Sequence, residues 1–433
     1  MLDQKSRYDS YKDSGEIWLG DIPSDWSLEC IRAVTELKSK RGEPDLPVLS
    51  VYRDYGVILK DSRDDNHNAT SLDTSNYKVV EPGDLVVNKM KAWQGSMGVS
   101  AFDGIVSPAY ITCRTDPSKI APRFLHYTLR SQPFIAVYNS LSYGVRIGQW
   151  DMHYDDFKNI PLAYPDIDTQ NRIVSFLDEK TAEIDAAIEK KRRLIDLLNE
   201  QKAILINRAV TKGLNPDAPM KDSGVDWIGE IPAYWKIVPL MAVSEVIDPN
   251  PSHRNPEYVD EGFPFISTQE FKGWDEIEID TPRRVSEKIV IEQEGRCRFR
   301  SGSIVFSRKG TIGATRVLPF GVRLGILDSL CVINPKNGVT PEFLVGTLGA
   351  DYLSAQYGPT VKGAALPQLS VGRVRALKII LPPDDEQITI QVELATLKAE
   401  HHRLDEIVKR EISTLNEFKQ TLIANAVTGK IKI

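Results

Sequence analysis

The chain has 433 residues, 41% of them hydrophobic and 26% charged, which is enough to bury more than one core and leads us to expect two or three domains. No apolar run approaches the roughly 20 residues of a membrane span, and the opening "MLDQKSRYDS" lacks the apolar centre of a signal peptide, so a cytoplasmic location without membrane contact is expected. The net charge of -6 counts mildly against a polyanionic partner, although a global sum hides local basic patches.

In chain order, residues 1–165 are rich in Gly, Pro and short β-branched or aromatic runs: "VLSVY" from Val48, "YKVV" from Tyr77, "DLVVN" from Asp84 and "AYITC" from Ala109. These predict short strands joined by turns, with one helical stretch at "APRFLHYTLRSQ" from Ala121. "NIPLAY" from Asn159 faintly resembles an adenine-methyltransferase motif, but no Gly-rich cofactor loop precedes it, and it is read as a strand leading into the next helix. From Asp168 to Ala209 there is neither Gly nor Pro, and charges are dense, which predicts one long helix. On it Ile173, Leu177, Ile184, Ile188, Ile195, Leu198, Leu205 and Ala209 follow steps of three, four and seven, a narrow apolar seam interrupted by Lys180, Lys191 and Lys202. Leu194, Leu197 and Ile204 flank it. "TKGLNPDAPM" from Thr211 ends the helix with Gly213 and Pro216.

After that linker the chain repeats itself. "YKDSGEIWLGDIPSDW" from Tyr11 returns as "MKDSGVDWIGEIPAYW" from Met220. "GDLVVNKM" from Gly83 parallels "GSIVFSRKG" from Gly302, "PRFLHYTL" from Pro122 parallels "PEFLVGTL" from Pro341, and "YPDIDTQNRI" from Tyr164 parallels "LPPDDEQITI" from Leu381. "LNEQKAILINRAVTKG" from Leu198 aligns without a gap with "LNEFKQTLIANAVTGK" from Leu415. This is duplication of one unit. The second long helix, from about Asp385 to Val427, carries Ile390, Leu394, Leu397, Ile412, Leu415, Leu422 and Ala426 at matching places, with His401 where the first has Ile184. Helices of about 42 residues run roughly 60 Å and cannot hide such a seam in a small domain, so the two are expected to pair.

The expected fold is α+β: two similar globular α/β domains separated by two long antiparallel helices that form a coiled coil, with a pseudo-twofold internal repeat. The boundaries are 1–165 and 213–382 for the domains and 166–212 and 383–433 for the helices.

The paired "KDSG...W.G.IP..W" openings, the proline-acidic helix entries and the "AVT.G" exits resemble the specificity subunit of type I restriction-modification enzymes over nearly the whole chain. The resemblance implies that each globular domain is a target recognition domain for one half of a split double-stranded DNA sequence. It also implies that the helices set the distance between the halves and dock two modification subunits, which restriction subunits join. S-adenosylmethionine is then expected on the modification subunit, and no cofactor or metal on this chain. A split target of 13 or 14 base pairs spans about 45 Å, within reach of two readers near the ends of such helices. The alternative is a tandem scaffold holding two non-DNA protein ligands.

Catalytic motifs are not found. "RKGTIGATR" from Arg308 has the wrong order for a P-loop, "EKK" from Glu189 has nuclease-like spacing but lies mid-helix, and the histidines show no metal-ligand spacing. Cys30, Cys113, Cys297 and Cys331 form no CxxC pair and are expected to be buried thiols. Base readout needs paired donors and acceptors on exposed loops. Candidates in the first domain are Asn88, Lys89, Lys91, Trp93 and Gln94, then Arg146, Gln149 and Trp150. Those in the second are Thr268 and Gln269, then Ser307, Arg308 and Lys309, then Lys362 and Gln368. Trp18, Trp26, Trp227 and Trp235 belong to the shared frame and are expected to pack rather than to bind.

Overall fold

The structure is a computed structural model that describes residues 7–62, 73–146, 149–250, 256–273, 276–361 and 368–433. The chain divides into two compact units, one comprising Met1–Lys191 with Lys409–Ile433, the other Arg192–Val408. Each unit therefore owns one globular region, the first part of the long helix that follows it, and the last part of the other long helix.

In the first unit the opening hairpin pairs Tyr11–Asp13 with Asp21–Pro23. The repeated residues explain it. Lys12 Nζ donates to the Trp26 carbonyl at 2.6 Å and Asp13 Oδ1 accepts from the Gly15 amide at 2.9 Å, while Trp26 is buried. In the second unit Met220–Asp222 pairs with Glu230–Pro232, Lys221 donates to the Trp235 carbonyl at 2.8 Å, Asp222 accepts from Gly224 at 2.9 Å, and Trp235 is buried. The signature is a folding device. Trp18 also packs, edge-on to Phe134 at 5.0 Å, but Trp227 departs from the expectation and is 37% exposed.

Both units are built on a four-stranded antiparallel sheet with the same connectivity. In the first the order is Thr35–Leu37, Ile111–Thr115, Leu85–Val87, Met97–Val99; in the second it is Ser244–Ile247, Leu330–Pro335, Ile304–Ser307, Thr315–Val317. Central strands such as Leu85–Val87 and Ile304–Ser307 are buried along their whole length, which is why their sequences are continuous apolar runs rather than alternating ones. The expected helical stretch from Ala121 holds the helix Pro122–Leu129, and a second helix, Gln132–Leu141, follows it beyond that stretch. Arg130 caps the first, and Ser131, whose backbone is extended, is the N-cap of the second, which takes Pro133 in its first turn.

Outside the shared sheet the units diverge. The first has hairpins pairing Leu49–Tyr52 with Gly56–Leu59 and Tyr143–Arg146 with Gln149–Asp151. The second has the helix Glu287–Cys297 and a parallel pairing of Phe263–Ile266 with Gly325–Ile326.

The long helices run Ile167–Lys212 and Asp384–Val427. Each is anchored by a repeated glutamine. Gln170 accepts from the Ala121 amide at 2.7 Å and donates to the carbonyls of Lys119 and Pro165, and Gln387 donates to those of Gly338 and Pro382. Within the first unit Asp185 pairs with Lys419 at 2.6 Å and Lys191 with Glu411 at 2.7 Å, so the helices run antiparallel there. Within the second, an added Cβ on Gly346 would meet Leu394, Val210 and Ile206, while Lys202 feels Asp405, again the antiparallel sense. The lysines that interrupt the seam are thus partly spent on charges from the facing helix. Ile173, Leu177, Ile184, Ile188, Ile390 and Leu394 are buried, and Ile195, Leu198, Leu205, Leu397, Ile412, Leu415 and Leu422 are half-buried. Val408, 4% exposed, is a seam residue that sequence reading passed over.

Each core closes the sheet against these helix segments. Val87, Cys113, Phe124 and Trp26 meet Ile173, Leu177, Ala426 and Val427 in the first unit. Phe306, Cys331, Phe343 and Trp235 meet Ile390, Leu394, Ala209 and Val210 in the second.

Candidate nucleic-acid interface

In the first unit the candidates gather on a short 3-10 helix, Lys89–Gln94, that follows the central strand Leu85–Val87. Gly95 closes it with φ +84, a left-handed turn that glycine adopts without penalty. Asn88 starts it, but is buried and donates from Nδ2 to the Tyr110 hydroxyl at 3.4 Å. Lys89 is 3.2 Å from Asp151 and Lys91 is exposed. Trp93 meets Trp150 edge to face at 5.1 Å, both half-buried, so two stretches 57 positions apart in sequence form one surface. Gln94 is half-buried beside them. Arg146 and Gln149 are paired in the adjacent hairpin, and their side chains lie outside the described residues.

In the second unit Thr268 and Gln269 ride on the turn Thr268–Glu270. A capping box fixes that turn: Ser267 Oγ accepts from the Gln269 amide, and Glu270 accepts from the Ser267 amide at 2.8 Å. Burial alone would push Glu270 up, but the Arg283 guanidinium beside it overrides this and holds its carboxyl below the usual range. Gln269 is exposed on this rigid support and Thr268 half-buried.

The stretch from Ser307 to Lys309 behaves differently from an open loop. Ser307 is fully buried and donates to the Lys309 carbonyl at 3.0 Å. The Arg308 side chain is 3% exposed, held by Asp248 at 2.8 Å and by the Asp328 carbonyl at 2.8 Å. Lys309 is paired with Asp328 at 2.5 Å and stays partly exposed. A β-bridge brings Gln368 beside Lys309, exposed, whereas Lys362 lies outside the described residues. Of this group, Lys309 and Gln368 face outward, and Ser307 and Arg308 support them from within. Asp248 and Asp328 could not be found by motif, because they come from separate strand ends.

Among the described residues no group of three or more His, Cys, Asp or Glu is placed to hold a metal ion, and no helix is long and apolar enough to cross a membrane. Cys113, Cys297 and Cys331 are buried and free, and burial pushes their thiols up to about 12.

Residues 232–412 match the family model described as the type I restriction modification DNA specificity domain. That match covers less than half of the chain and lies almost wholly in the second unit. The repeated sheet and opening hairpin extend the same plan to the first unit. The chain is 26% identical over 202 residues to the MjaIX specificity subunit of Methanocaldococcus jannaschii, a match covering 46% of this chain and 45% of that protein; it thus spans less than half of that relative. By fold it is similar, with a TM-score of 0.65 at 18% identity over 94% of this chain and 98% of the other, to a structure concerned with complex assembly and conformational transition of the type I R-M system. It also matches the specificity subunit of Thermoanaerobacter tengcongensis at 18% identity with a TM-score of 0.48.

Proposed function

We propose that this chain is the sequence-reading subunit of a type I restriction-modification complex and is not itself an enzyme. Each unit binds one half of a bipartite duplex target, and the long helices set the spacer between the halves. Two modification subunits dock on those helices and supply S-adenosylmethionine chemistry, and restriction subunits complete the nuclease. The observation that carries the reading is a shared sheet frame occurring twice, each copy bearing a different set of exposed or half-buried polar and aromatic side chains: Lys89, Lys91, Gln94 and Trp150 in one, Gln269, Lys309 and Gln368 in the other. A duplicated scaffold with divergent outer segments is what two half-site readers of different sequence require, since base-edge contacts specify locally.

Docking on the helices is supported by apolar side chains left exposed on them, including Leu194, Leu197, Ile204, Leu404 and Ile407. Helices of 46 and 44 residues are about 69 and 66 Å long, long enough for a spacer ruler.

The test is binding of the full chain, with and without its modification partner, to duplex DNA, followed by a salt titration. Affinity that falls steeply with salt, and is higher for one bipartite sequence than for scrambled duplexes, supports the reading. Equal indifference to every duplex would favour a protein-binding scaffold.

A further inference from the structure

Cations in the first unit commonly sit against carboxylates. Lys38 pairs with Asp84 and Glu81, Lys40 with Glu81, Lys119 with Glu29 and Lys89 with Asp151. Arg41 and Lys78 form no ion pair with any carboxylate among the described residues. They face each other across an antiparallel β-bridge, the arrangement that puts two side chains on one face at the closest cross-strand spacing, where like charges repel. Lys78 is half-buried and its Nζ donates to the Tyr110 carbonyl at 2.5 Å. Its cationic neighbours are Arg41 and Lys89. Burial first, then Arg41, lower its pKa below that of an ordinary lysine.

This juxtaposition of cations works against stability, and the bond from Lys78 to the Tyr110 carbonyl compensates only for Lys78, not for the repulsion by Arg41. Burial disfavours the charge on Lys78, and a second cation stands directly opposite. An anion between the two would relieve both penalties. The pair is also tied to the candidate interface, because Tyr110 takes Lys78 on its carbonyl and Asn88 on its hydroxyl, and Asn88 starts the turn that carries Lys89 and Lys91. In the second unit the counterparts of Asn88 and Lys89 are Ser307 and Arg308, and there Asp248 neutralises the arginine from inside.

We propose that Arg41 and Lys78 clamp a backbone phosphate of the DNA strand read by the first unit. The inference rests on the DNA-reading function above. Arg41 is exposed and offers a planar fork, while Lys78, anchored from below by Tyr110, offers a point charge; together they fit one phosphate group. The contact positions the strand and carries no sequence information of its own.

The experiment uses the full chain, its Arg41→Gln and Lys78→Gln variants, and Lys40→Gln as a charge-matched control beside Glu81. Binding to duplex DNA is measured across a salt series, and melting temperature is measured without DNA, with inorganic pyrophosphate and with chloride of equal ionic strength. Each clamp variant should lower the slope of log affinity against log salt by about 1 and weaken binding several-fold on every duplex. Lys40→Gln should leave the slope unchanged. Arg41→Gln should melt no lower than the parent without DNA, because a repulsion has been removed, whereas a purely structural role predicts the reverse; Lys78→Gln also gives up its bond to the Tyr110 carbonyl, so the stability comparison rests on Arg41→Gln. Clamp variants whose slopes match the parent's would overturn the proposal. If the parent binds no duplex but pyrophosphate raises its melting temperature and the clamp variants lose that rise, the anion site stands and the DNA-reading function falls. If the parent shows neither response, both fall.

Discussion

The ammonium of Lys430 donates to the carbonyl of Leu19, 2.8 Å away and 411 positions earlier in the chain. The end of the second long helix therefore completes the first unit, and the second unit mirrors it, with Lys212 donating to the Glu230 carbonyl. The glycine next to each lysine is in the left-handed region, Gly429 at φ +71 and Gly213 at φ +74. An added Cβ would stand 2.4 Å from Pro23 in one case and 3.1 Å from Trp235 in the other. Both Gly→Ala variants should lose more than about 1 kcal/mol, with Gly429→Ala the worse because the proline ring cannot move aside. Gly15→Ala, at φ +73 with open space around it, should cost only the backbone strain. Urea denaturation of the three variants checks the order.

Arg308 and Lys309 are adjacent but should fail differently. Removing the Arg308 guanidinium leaves Asp248, 18% exposed, without its partner, so Arg308→Met should destabilise the second unit by about 3 to 5 kcal/mol. Lys309 is 29% exposed but holds Asp328, itself 14% exposed, so Lys309→Met should also destabilise the unit, by about 1 to 3 kcal/mol, while weakening DNA binding. Parallel melting and binding curves separate the two.

Stability of the first unit should fall on mild acidification because of His126. Its half-buried imidazole lies 2.6 Å from Arg130, with the charge of Arg123 nearby, and desolvation first, then those cations, lower its pKa to about 3. The unfolded chain takes up that proton near 6.5 and the folded chain does not, so stability is complete above pH 6.5 and declines as pH falls towards 3. At pH 5 the loss is about 2 kcal/mol. His126→Gln should flatten the pH dependence of the unfolding free energy between pH 6.5 and 5; an unchanged slope would contradict this.

Along the paired helices the apolar seam should outweigh the ion pairs. The Asp185 side chain is 57% exposed, so Asp185→Asn should cost no more than about 1 kcal/mol, less in high salt. Ile188 is 4% exposed, and Ile188→Ala should cost about 2 to 5 kcal/mol irrespective of salt. Denaturation at two ionic strengths distinguishes them.

The sequence carried these features unequally. The sheet strands were visible because their apolar runs are short and bounded by turns, and the long helices because no Gly or Pro interrupts them. The duplication turned the KDSG signature into a structural statement, which the Lys12 and Lys221 contacts explain. Partners joined only by the fold were invisible. Asp248 neutralises Arg308 across 60 positions, and this changes a candidate base reader into an internal support. Arg41 and Lys78 meet only because one bridge forms between segments that sequence alone does not pair. Trp227 shows the opposite limit, since an identical position in the repeat packs in one unit and is exposed in the other.

The central claim is that each unit reads its own half-site. Its most direct test is to replace residues 220–381 with the equivalent segment of a relative, keeping both long helices, and to map methylated sites across the genome of a strain carrying the exchange. Good base-edge contacts discriminate by about 1 to 3 kcal/mol each and act locally, so one half of the split target should change while the other half and the spacer stay the same. A change in both halves, or in neither with methylation intact, would contradict the account.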